Sequence, residues 1–462
     1  MKILPIPLSL CALLIPAIAS AGTPDVPGRA GEFWRGSAAL PPAARLAPAA
    51  PLRFDSLAAL TEHALRHRAE SRAAWLGIQA EAARLDAAGA ERWPTLNAQF
   101  NFTRNQALSS AGASVPVLHR YGPSLSLAYV LYDFGARAAG IDARRYQLIA
   151  TLYNNNRSLQ DIVAEVETAW FAVQAAAALR DAQAEQVRSL RTSLDAVDAR
   201  LQGGLASRAD QLRARAALAE ATLAQDAAAR DLARAEAALR RAAGVAQTQT
   251  LELDWEAVPA ADLDDATLLA DLLAEAGRQR PDLLSLRAAA ARAKSEAVAA
   301  RAARWPTLSL AANTGRTFFL EDERSPSTTY NVGVTVSVPL FDGGRLAAEA
   351  RAAERDAERF AAQADAQQEA VALEVAQAYE DARYAQSARA GVAVQFDSAG
   401  ESARAAEARY KAGVGSLLEW LTAQADLARA RQARAQADSD WLSAFSRLNH
   451  ALGRLPVASS ER

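Results

Sequence analysis

Cysteine, lysine and methionine are nearly absent from this chain of 462 residues. Cysteine occurs once, at Cys11, inside an N-terminal segment that we expect to be removed, so the mature protein would hold no thiol. This excludes disulfides, zinc-thiolate sites, iron–sulfur clusters and cysteine nucleophiles. The 51 basic and 53 acidic residues nearly balance, so no basic excess exists to drive nucleic-acid binding. The 51% hydrophobic fraction is largely alanine, which favours long, closely packed helices.

The N-terminus has the pattern of a secretory signal peptide over residues 1–21. It has a basic start at Lys2, an apolar stretch, and the small residues Ala19-Ser20-Ala21 at the expected cleavage point. Because Cys11 lies within the apolar stretch and not at the cleavage point, we expect no lipid anchor. Residues 22–53 are rich in Pro, Ala and Gly, and we expect them to form an extended arm. No later segment has the roughly 20 consecutive apolar residues of a membrane-spanning helix.

The rest of the sequence contains the same pattern twice. Its recurring pairs are Trp93 and Trp305, Asp133 and Asp342, and Gly204 and Gly413. We therefore predict two structural repeats, 54–244 and 267–455, each with a helix, a β-hairpin and a long helix pair. Residues 245–266 would form a connector and residues 456–462 a C-terminal tail.

Inside each repeat the hydrophobic period changes from that of a helix to that of a strand. The clearest strand has Leu96, Ala98, Phe100 and Phe102 alternating with Asn97, Gln99, Asn101 and Thr103. Each repeat is expected to contribute one β-hairpin. No proline lies between Pro339 and Pro456, so we predict an unbroken helix from about Arg345 to Lys411, about 100 Å long. The spacing of Val187, Leu190, Leu194, Val197 and Leu201 is typical of a coiled-coil seam.

The apolar face of the hairpins admits two interpretations. It could be buried in a small soluble domain, which would make the protein a periplasmic coiled-coil scaffold, or it could face lipid. Strand lengths near ten residues and aromatic residues at strand ends, such as Trp93 and Trp305, favour lipid. Four strands cannot close a barrel, so a membrane barrel would need several protomers. With helices of this length, such a barrel would continue as a tube across the periplasm.

The combined motifs resemble those of the TolC-type outer-membrane efflux proteins over residues 54–455. The residues that carry the resemblance are the Trp-Pro-Thr-Leu segments at Trp93 and Trp305, the elbows Tyr132-Asp133-Phe134-Gly135 and Phe341-Asp342-Gly343-Gly344, the segment Arg280-Pro281-Asp282-Leu283, and two glycine-containing helix tips. The resemblance implies a mixed α/β, mostly α, membrane protein. Its homotrimer would form a twelve-stranded outer-membrane β-barrel, four strands per chain, continued by an α-helical coiled-coil tunnel.

The resemblance also implies partners. These are a periplasmic membrane-fusion adaptor, an inner-membrane ABC or RND pump, and the lipid of the outer membrane. It implies no cofactor and no enzyme activity. In agreement, the sequence has no phosphate loop, no dinucleotide fingerprint and no Gly-x-Ser-x-Gly elbow, and no Glu follows His63 as a zinc protease would require.

The two helix tips hold the candidate functional residues. Gly204 and Gly413 are expected to adopt a positive φ, and Ser207 and Ser416 to cap the next helix. The resemblance makes Asp210 and Tyr410 candidates for a latch at the periplasmic entrance, and Glu419 the matching carboxylate of an acidic ring. The remaining candidates turn strand into helix at the elbows, and they are Asp133, Gly135, Asp342 and Gly343.

The expected cargo follows from an analogy with other export ducts. Several export ducts of type I secretion lack a lipid anchor, so by analogy we slightly favour secretion of a protein toxin of the haemolysin or cyclolysin kind. Multidrug or metal efflux by a duct of the same family is the alternative.

Overall fold

The structure is a computed structural model that describes residues 51–106, 117–253, 263, 268–320 and 325–454. The first half contains β1 (Leu52–Phe54), α1 (Leu57–His67), α2 (Ala69–Ala90), β2 (Thr95–Asn105), β3 (Leu118–Tyr132), α3 (Ala136–Gln202) and α4 (Arg208–Ala242). The second half contains β4 (Leu251–Leu253), α5 (Leu269–Gln279), α6 (Pro281–Ala302), β5 (Thr307–Phe319), β6 (Ser327–Ser337), α7 (Arg345–Lys411) and α8 (Leu417–Leu452). The same order of elements thus occurs twice. The predicted signal peptide and C-terminal tail lie outside the described residues.

A small parallel sheet joins the start of the first half to the start of the second half, within the predicted connector 245–266. Leu52 of β1 pairs with Leu251 of β4, and Phe54 pairs with Leu253. Phe54 is buried in the first hydrophobic core together with Leu60 of α1. The sequence pattern did not predict these two short strands, because three residues are too few to show a period.

The main sheet has four antiparallel strands in the order β2-β3-β5-β6. Directly paired residues share a face, so the register defines both surfaces of the sheet. One row across all four strands is Leu96, Leu127, Ala312 and Val332, and the next row is Asn97, Ser126, Asn313 and Asn331. We call the surface with the first row the apolar face and the other the polar face. The two predicted hairpins are confirmed.

Two long helices, α3 and α7, have 67 residues each, or about 100 Å at 1.5 Å per residue. The predicted unbroken helix from Arg345 to Lys411 is therefore confirmed. By length and composition alone, α3 is the one described helix that could cross a membrane. It packs along α4, α6 and α8, as a helix in a bundle does, while α7 packs along α6 and α8. On the predicted seam, Val187, Leu190 and Val197 are buried.

Four hydrophobic clusters lie among the described helices, and the smallest of them joins Val187 and Leu190 of α3 to Ala221 of α4. The first surrounds Trp170 of α3 with residues of α1 and α4, and the second surrounds Trp441 of α8 with residues of α5 and α7. Both repeats thus build the same kind of core, and Val166 and its counterpart Val375 are fully buried. The third cluster lies near the tips and includes Trp420. It combines residues of both repeats, so the two helix tips pack against each other.

Candidate functional site

The elbows connect the sheet to the long helices through an aspartate at each junction. Asp133 Oδ1 accepts a hydrogen bond from Gly135 N at 3.3 Å, and its Oδ2 accepts one from Arg137 N at 3.1 Å. In the second repeat Asp342 accepts from Gly344 N at 2.9 Å and from Leu346 N at 2.8 Å. These backbone N–H groups hold the pKa of the Asp342 carboxyl below its usual range. Each aspartate therefore satisfies the free N–H groups that begin a long helix.

The glycines of the elbows all have positive φ angles. Gly135 has φ of 88° and begins α3, and Gly344, its counterpart in the second repeat, has φ of 85° and begins α7. Gly343 has φ of 69°, and at its place in the first repeat stands Phe134, a non-glycine residue with φ of 51°. The Phe134 ring stacks on Trp305, with ring centroids 5.5 Å apart, and this contact holds the left-handed residue in place.

The first tip has a complete capping box. Ser207 Oγ accepts from Asp210 N at 3.1 Å, and Asp210 Oδ2 accepts from Ser207 N at 3.2 Å. Gly204 before it has φ of 71°. The hydrogen bonds from Ser207, and then the charge of Arg213, hold the pKa of the Asp210 carboxyl low. The cap and the turn agree with the sequence analysis, and the role of Asp210 in a latch between neighbouring helix pairs stays a prediction.

The second tip is built differently. Gly413 has φ of 80°, and Ser416 Oγ accepts from Glu419 N at 3.1 Å, as predicted. The Glu419 carboxylate, however, lies 3.2 Å from Arg409 Nη1. Glu419 therefore forms an ion pair in addition to starting a helix. If three Glu419 carboxylates formed an acidic ring in a trimer, each would have Arg409 of its own chain beside it.

Tyr410 lies inside the tip cluster and not on its surface. The residue is 6% exposed. Its ring stacks on Trp420 with centroids 5.0 Å apart and lies under the guanidinium of Arg200 at 4.4 Å. Arg200 Nη2 also donates to the backbone oxygen of Lys411 at 3.0 Å. Arg200 therefore ties the tip of α3 to the tip of α7 within one protomer. The sequence analysis missed it, because Arg200 and Tyr410 come together only when the two repeats pack.

Glu167, a half-buried residue of the helix bundle, was not among the candidates named from the sequence. Glu167 of α3 lines a cavity of about 150 Å³ together with Gln160, Ser446 and His450. Ser446 Oγ donates to its carboxylate, yet burial outweighs this bond and raises the pKa of Glu167. Among the described residues no cluster of His, Cys, Asp and Glu could hold a metal ion.

Comparison with known proteins agrees with this architecture. A family model described as outer membrane efflux protein matches residues 60–245 and 272–454. Protein CyaE of Bordetella pertussis is 30% identical over 388 residues, which are 82% of this chain and 80% of CyaE. Alkaline protease secretion protein AprF of Pseudomonas aeruginosa is 30% identical over 190 residues, only 40% of this chain and 38% of AprF. A crystal structure of a membrane protein from Pseudomonas aeruginosa superimposes with a TM-score of 0.77 at 26% identity, over 86% of this chain and 90% of that one.

Proposed function

Since this chain belongs to the outer membrane efflux protein family, as the resemblance of its motifs predicted, we propose that three copies of it form the exit duct of an export system. Members of this family lie in the outer membrane and extend into the periplasm, and this chain has the same location. The open edges and the exposed apolar face of the sheet support the trimer and the closed barrel. Membership of the family supports the proposed adaptor and pump.

The observation that carries the proposal is an open sheet with an exposed apolar face. Leu96 is 66% exposed, Phe100 69% and Val332 69%. The edge strands β2 and β6 have 11 residues each, and within the described residues they pair only on their inner sides. Unpaired backbone groups are costly in lipid, so a lipid-facing sheet must close. We propose that β6 of one protomer pairs with β2 of the next, which gives twelve strands from three chains.

The strands of the sheet are also long enough to cross the apolar layer of a membrane. Tyr132 and Phe134 form an aromatic pair at the helix end of the sheet, with centroids 4.8 Å apart, and Tyr121 and Phe318 form another near the opposite end, at 5.3 Å. From Tyr121 to Tyr132 a strand tilted by about 45° rises about 25 Å, the height of the apolar band of such barrels. Aromatic side chains are enriched at both water interfaces of membrane proteins.

The polar face would line the inside of the duct. Asn97, Ser126, Asn313 and Asn331 form one uncharged row across it. Such a surface holds a polar cargo weakly and supports no reaction step, so we propose a passive duct. The energy for transport would come from an ABC or RND pump of the inner membrane, reached through a periplasmic adaptor.

For the cargo we propose type I secretion of a protein. AprF, one of the similar proteins, is by its name a protease secretion protein, whereas the family description speaks of efflux. Multidrug or metal efflux is therefore the second candidate. A soluble periplasmic scaffold, the candidate of another class, would bury the exposed apolar face and would remain in solution without detergent.

Barrel closure can be tested by cross-linking between protomers. We would combine Gln99→Cys on β2 in turn with Thr329→Cys, Asn331→Cys and Thr335→Cys on β6. These four positions lie on the polar face. We expect one combination to give disulfide-linked trimers in outer-membrane fractions. Val332→Cys, on the apolar face, serves as the control and should cross-link poorly. Absence of cross-links in every combination, or a chain that is soluble without detergent, would overturn the proposal.

The cargo requires a separate experiment. Culture-supernatant proteins of the parent strain and a deletion strain would be compared by mass spectrometry. Loss of one large secreted protein, retained in the deletion strain's cells, would support type I secretion and identify the cargo. An unchanged set of secreted proteins, together with new sensitivity to toxic compounds or metals, would favour efflux.

A further inference from the structure

Charge is distributed unevenly over the four strands of the main sheet. The strands contain no Asp, Glu or Lys, and their arginines are Arg104, Arg120 and Arg316. All three lie toward the end of the sheet that is farthest from the helices, where β2 and β5 end and β3 begins. A sheet built only for an apolar band and a neutral duct has no need of these charges at one end.

The register places two of the three arginines on the apolar face. Arg104 lies opposite His119 and two residues beyond Phe102, and Phe102 belongs to the apolar face. Arg316 precedes Phe318 by two residues, and Phe318 lies opposite Tyr121 on the same face. Arg120 lies opposite Thr103 and therefore belongs to the polar face. Arg104 and Arg316 thus point to the surface that we propose to be covered by lipid.

The surroundings of these two arginines are aromatic. The Arg316 guanidinium lies 5.4 Å from the centre of the Phe318 ring, and the Phe102 and His119 rings are stacked at 6.2 Å. Both arginine side chains are exposed, and within the described part of the chain neither has an ion pair with a carboxylate. An arginine on the lipid face destabilises a barrel at the bilayer midplane but costs little near the interface. The backbone of Arg316 lies two residues on the helix side of Phe318, but its guanidinium lies beside the Phe318 ring, so the long side chain can extend to headgroup phosphates.

We propose that Arg104 and Arg316 form a binding site for the phosphate groups of phosphorylated glycolipids of the lipid A type, on the outside of the duct. The inference rests on the proposed membrane barrel. Because the helices extend into the periplasm, the opposite end of the sheet lies in the outer leaflet, which contains such glycolipids. A guanidinium binds phosphate through two parallel hydrogen bonds, and the aromatic rings beside it lie at the boundary of acyl chains and headgroups.

The test measures binding of lipid A to the full-length protein, purified in detergent, by native mass spectrometry. The probes are bis-phosphorylated lipid A, dephosphorylated lipid A and phosphatidylglycerol. The variant is Arg104→Gln combined with Arg316→Gln. The matched control is Arg120→Gln, which removes a positive charge from the polar face at the same end of the sheet. Each lost charge-assisted contact is expected to weaken binding about tenfold, so the double variant should lose about 100-fold.

Wild type and Arg120→Gln should bind bis-phosphorylated lipid A alike, and dephosphorylated lipid A should bind weakly to every protein. Equal binding of the double variant and the wild type would overturn the proposal. If wild type bound dephosphorylated lipid A as tightly as bis-phosphorylated lipid A, the site would not recognise phosphate. If wild type bound phosphatidylglycerol as tightly as bis-phosphorylated lipid A, the site would not be specific for the glycolipid.

The two proposals fail in distinguishable ways. A wild-type chain that forms no trimer in outer-membrane fractions would contradict the proposed duct itself. Trimeric wild type and trimeric variants with equal lipid A affinity would contradict only the lipid site. If the double variant does not assemble, the single variants Arg104→Gln and Arg316→Gln are measured in its place. Each should bind bis-phosphorylated lipid A about tenfold more weakly than wild type, and wild-type affinity in both would contradict the lipid site.

Discussion

Arg68 and Arg280 occupy the same place in the two repeats, each buried between a short helix pair and a long one. Arg68 is 6% exposed and Arg280 1%. Each donates to a carboxylate of the long helix and to the last turn of the shorter helix that follows it. The contacts are Arg68 with Glu165 at 2.5 Å and the Ala242 oxygen at 3.2 Å, and Arg280 with Glu374 at 2.7 Å and the Ala451 oxygen at 3.0 Å. One guanidinium thus connects three helices in each repeat.

These arginines remain charged despite their burial. Burial alone would lower the pKa of Arg280, but the hydrogen bonds and charges of Asp282 and Glu374 outweigh it and raise the pKa above its ordinary value. Without the arginine, the carboxylates and the carbonyl oxygen that it contacts would lose their partner. Leaving a buried charged group without its partner destabilises the folded state.

The first prediction concerns this connection. Arg280→Met should destabilise the folded protein by about 3 kcal/mol, because it leaves Asp282 and Glu374 without their buried cation. Arg301→Met is the control, since its pair with Glu354 is largely exposed and should contribute less than about 1 kcal/mol. Thermal unfolding followed by circular dichroism would measure both. Equal melting temperatures for the two variants would show that the buried bonds do not stabilise the bundle.

The sequence analysis used the motif around one of these arginines for the family resemblance, but it predicted the contacts of neither. Arg280 lies in the segment Arg280-Pro281-Asp282-Leu283, which carried the family resemblance. Its counterpart Arg68-Ala69-Glu70-Ser71 keeps only the arginine and the acid two residues later. Strands, long helices and caps could be predicted because each depends on local periodicity or on a local turn. The contact of Arg68 with Glu165 depends on packing of distant segments, which a local pattern does not contain.

The second prediction is a pH dependence of stability at Glu167. Burial raises the pKa of this carboxyl in the folded state, so its favourable contribution is full at pH below its unfolded pKa and is lost as pH rises through the folded pKa. Glu167→Gln should therefore raise the melting temperature at about pH 8, and the difference from wild type should shrink toward about pH 4. Glu220→Gln, on an exposed face of α4, is the control for net charge. A difference that is constant with pH would contradict the prediction.

The third prediction concerns the close approach of β3 and β5. A Cβ atom on Gly122 would lie 1.8 Å from the backbone oxygen of Arg316, and the neighbouring Pro123 has no N–H to donate to the ladder. Gly122→Ala should therefore push the strands apart and cost about 3 kcal/mol. In outer-membrane fractions we expect fewer heat-resistant trimers. Gly140→Ala on α3, where a Cβ meets nothing within 4 Å, should assemble normally, and normal assembly of both variants would refute the steric argument.

The fourth prediction uses the ion pair at the second tip. If Glu419 carboxylates line the entrance, Glu419→Gln should lower the preference for cations, whereas Arg409→Gln should raise it, because the carboxylate then loses its neighbouring positive charge. Reversal potentials in a salt gradient across planar bilayers would show the two shifts with opposite sign. Low salt is needed, since exposed charges are screened within about 10 Å at 0.1 M. Unchanged selectivity in both variants would remove Glu419 from the entrance.

The caps of both tips followed from the sequence, but their ion pairs and ring contacts did not. Ser207 and Ser416 lie three residues before their acidic partners, a spacing that a sequence displays directly. Glu419 and Arg409 meet across the turn, and a contact between residues on the two sides of a turn is not visible in a local spacing.

The final prediction concerns the contact of Arg200 with Tyr410, which joins the tips of the two repeats. If the entrance opens by separation of these tips, Arg200→Met should favour the open state, because it removes the cation from the ring and the bond to the Lys411 oxygen. For a partly exposed contact worth about 1 kcal/mol, the ratio of open to closed channels should rise about fivefold. Single-channel recordings in planar bilayers would measure this ratio. Arg404→Met is the control, because Arg404 forms an exposed ion pair with Glu401 of the same helix and its loss should leave the ratio unchanged. An equal effect of both variants would assign the change to the loss of a positive charge and not to the contact with Tyr410.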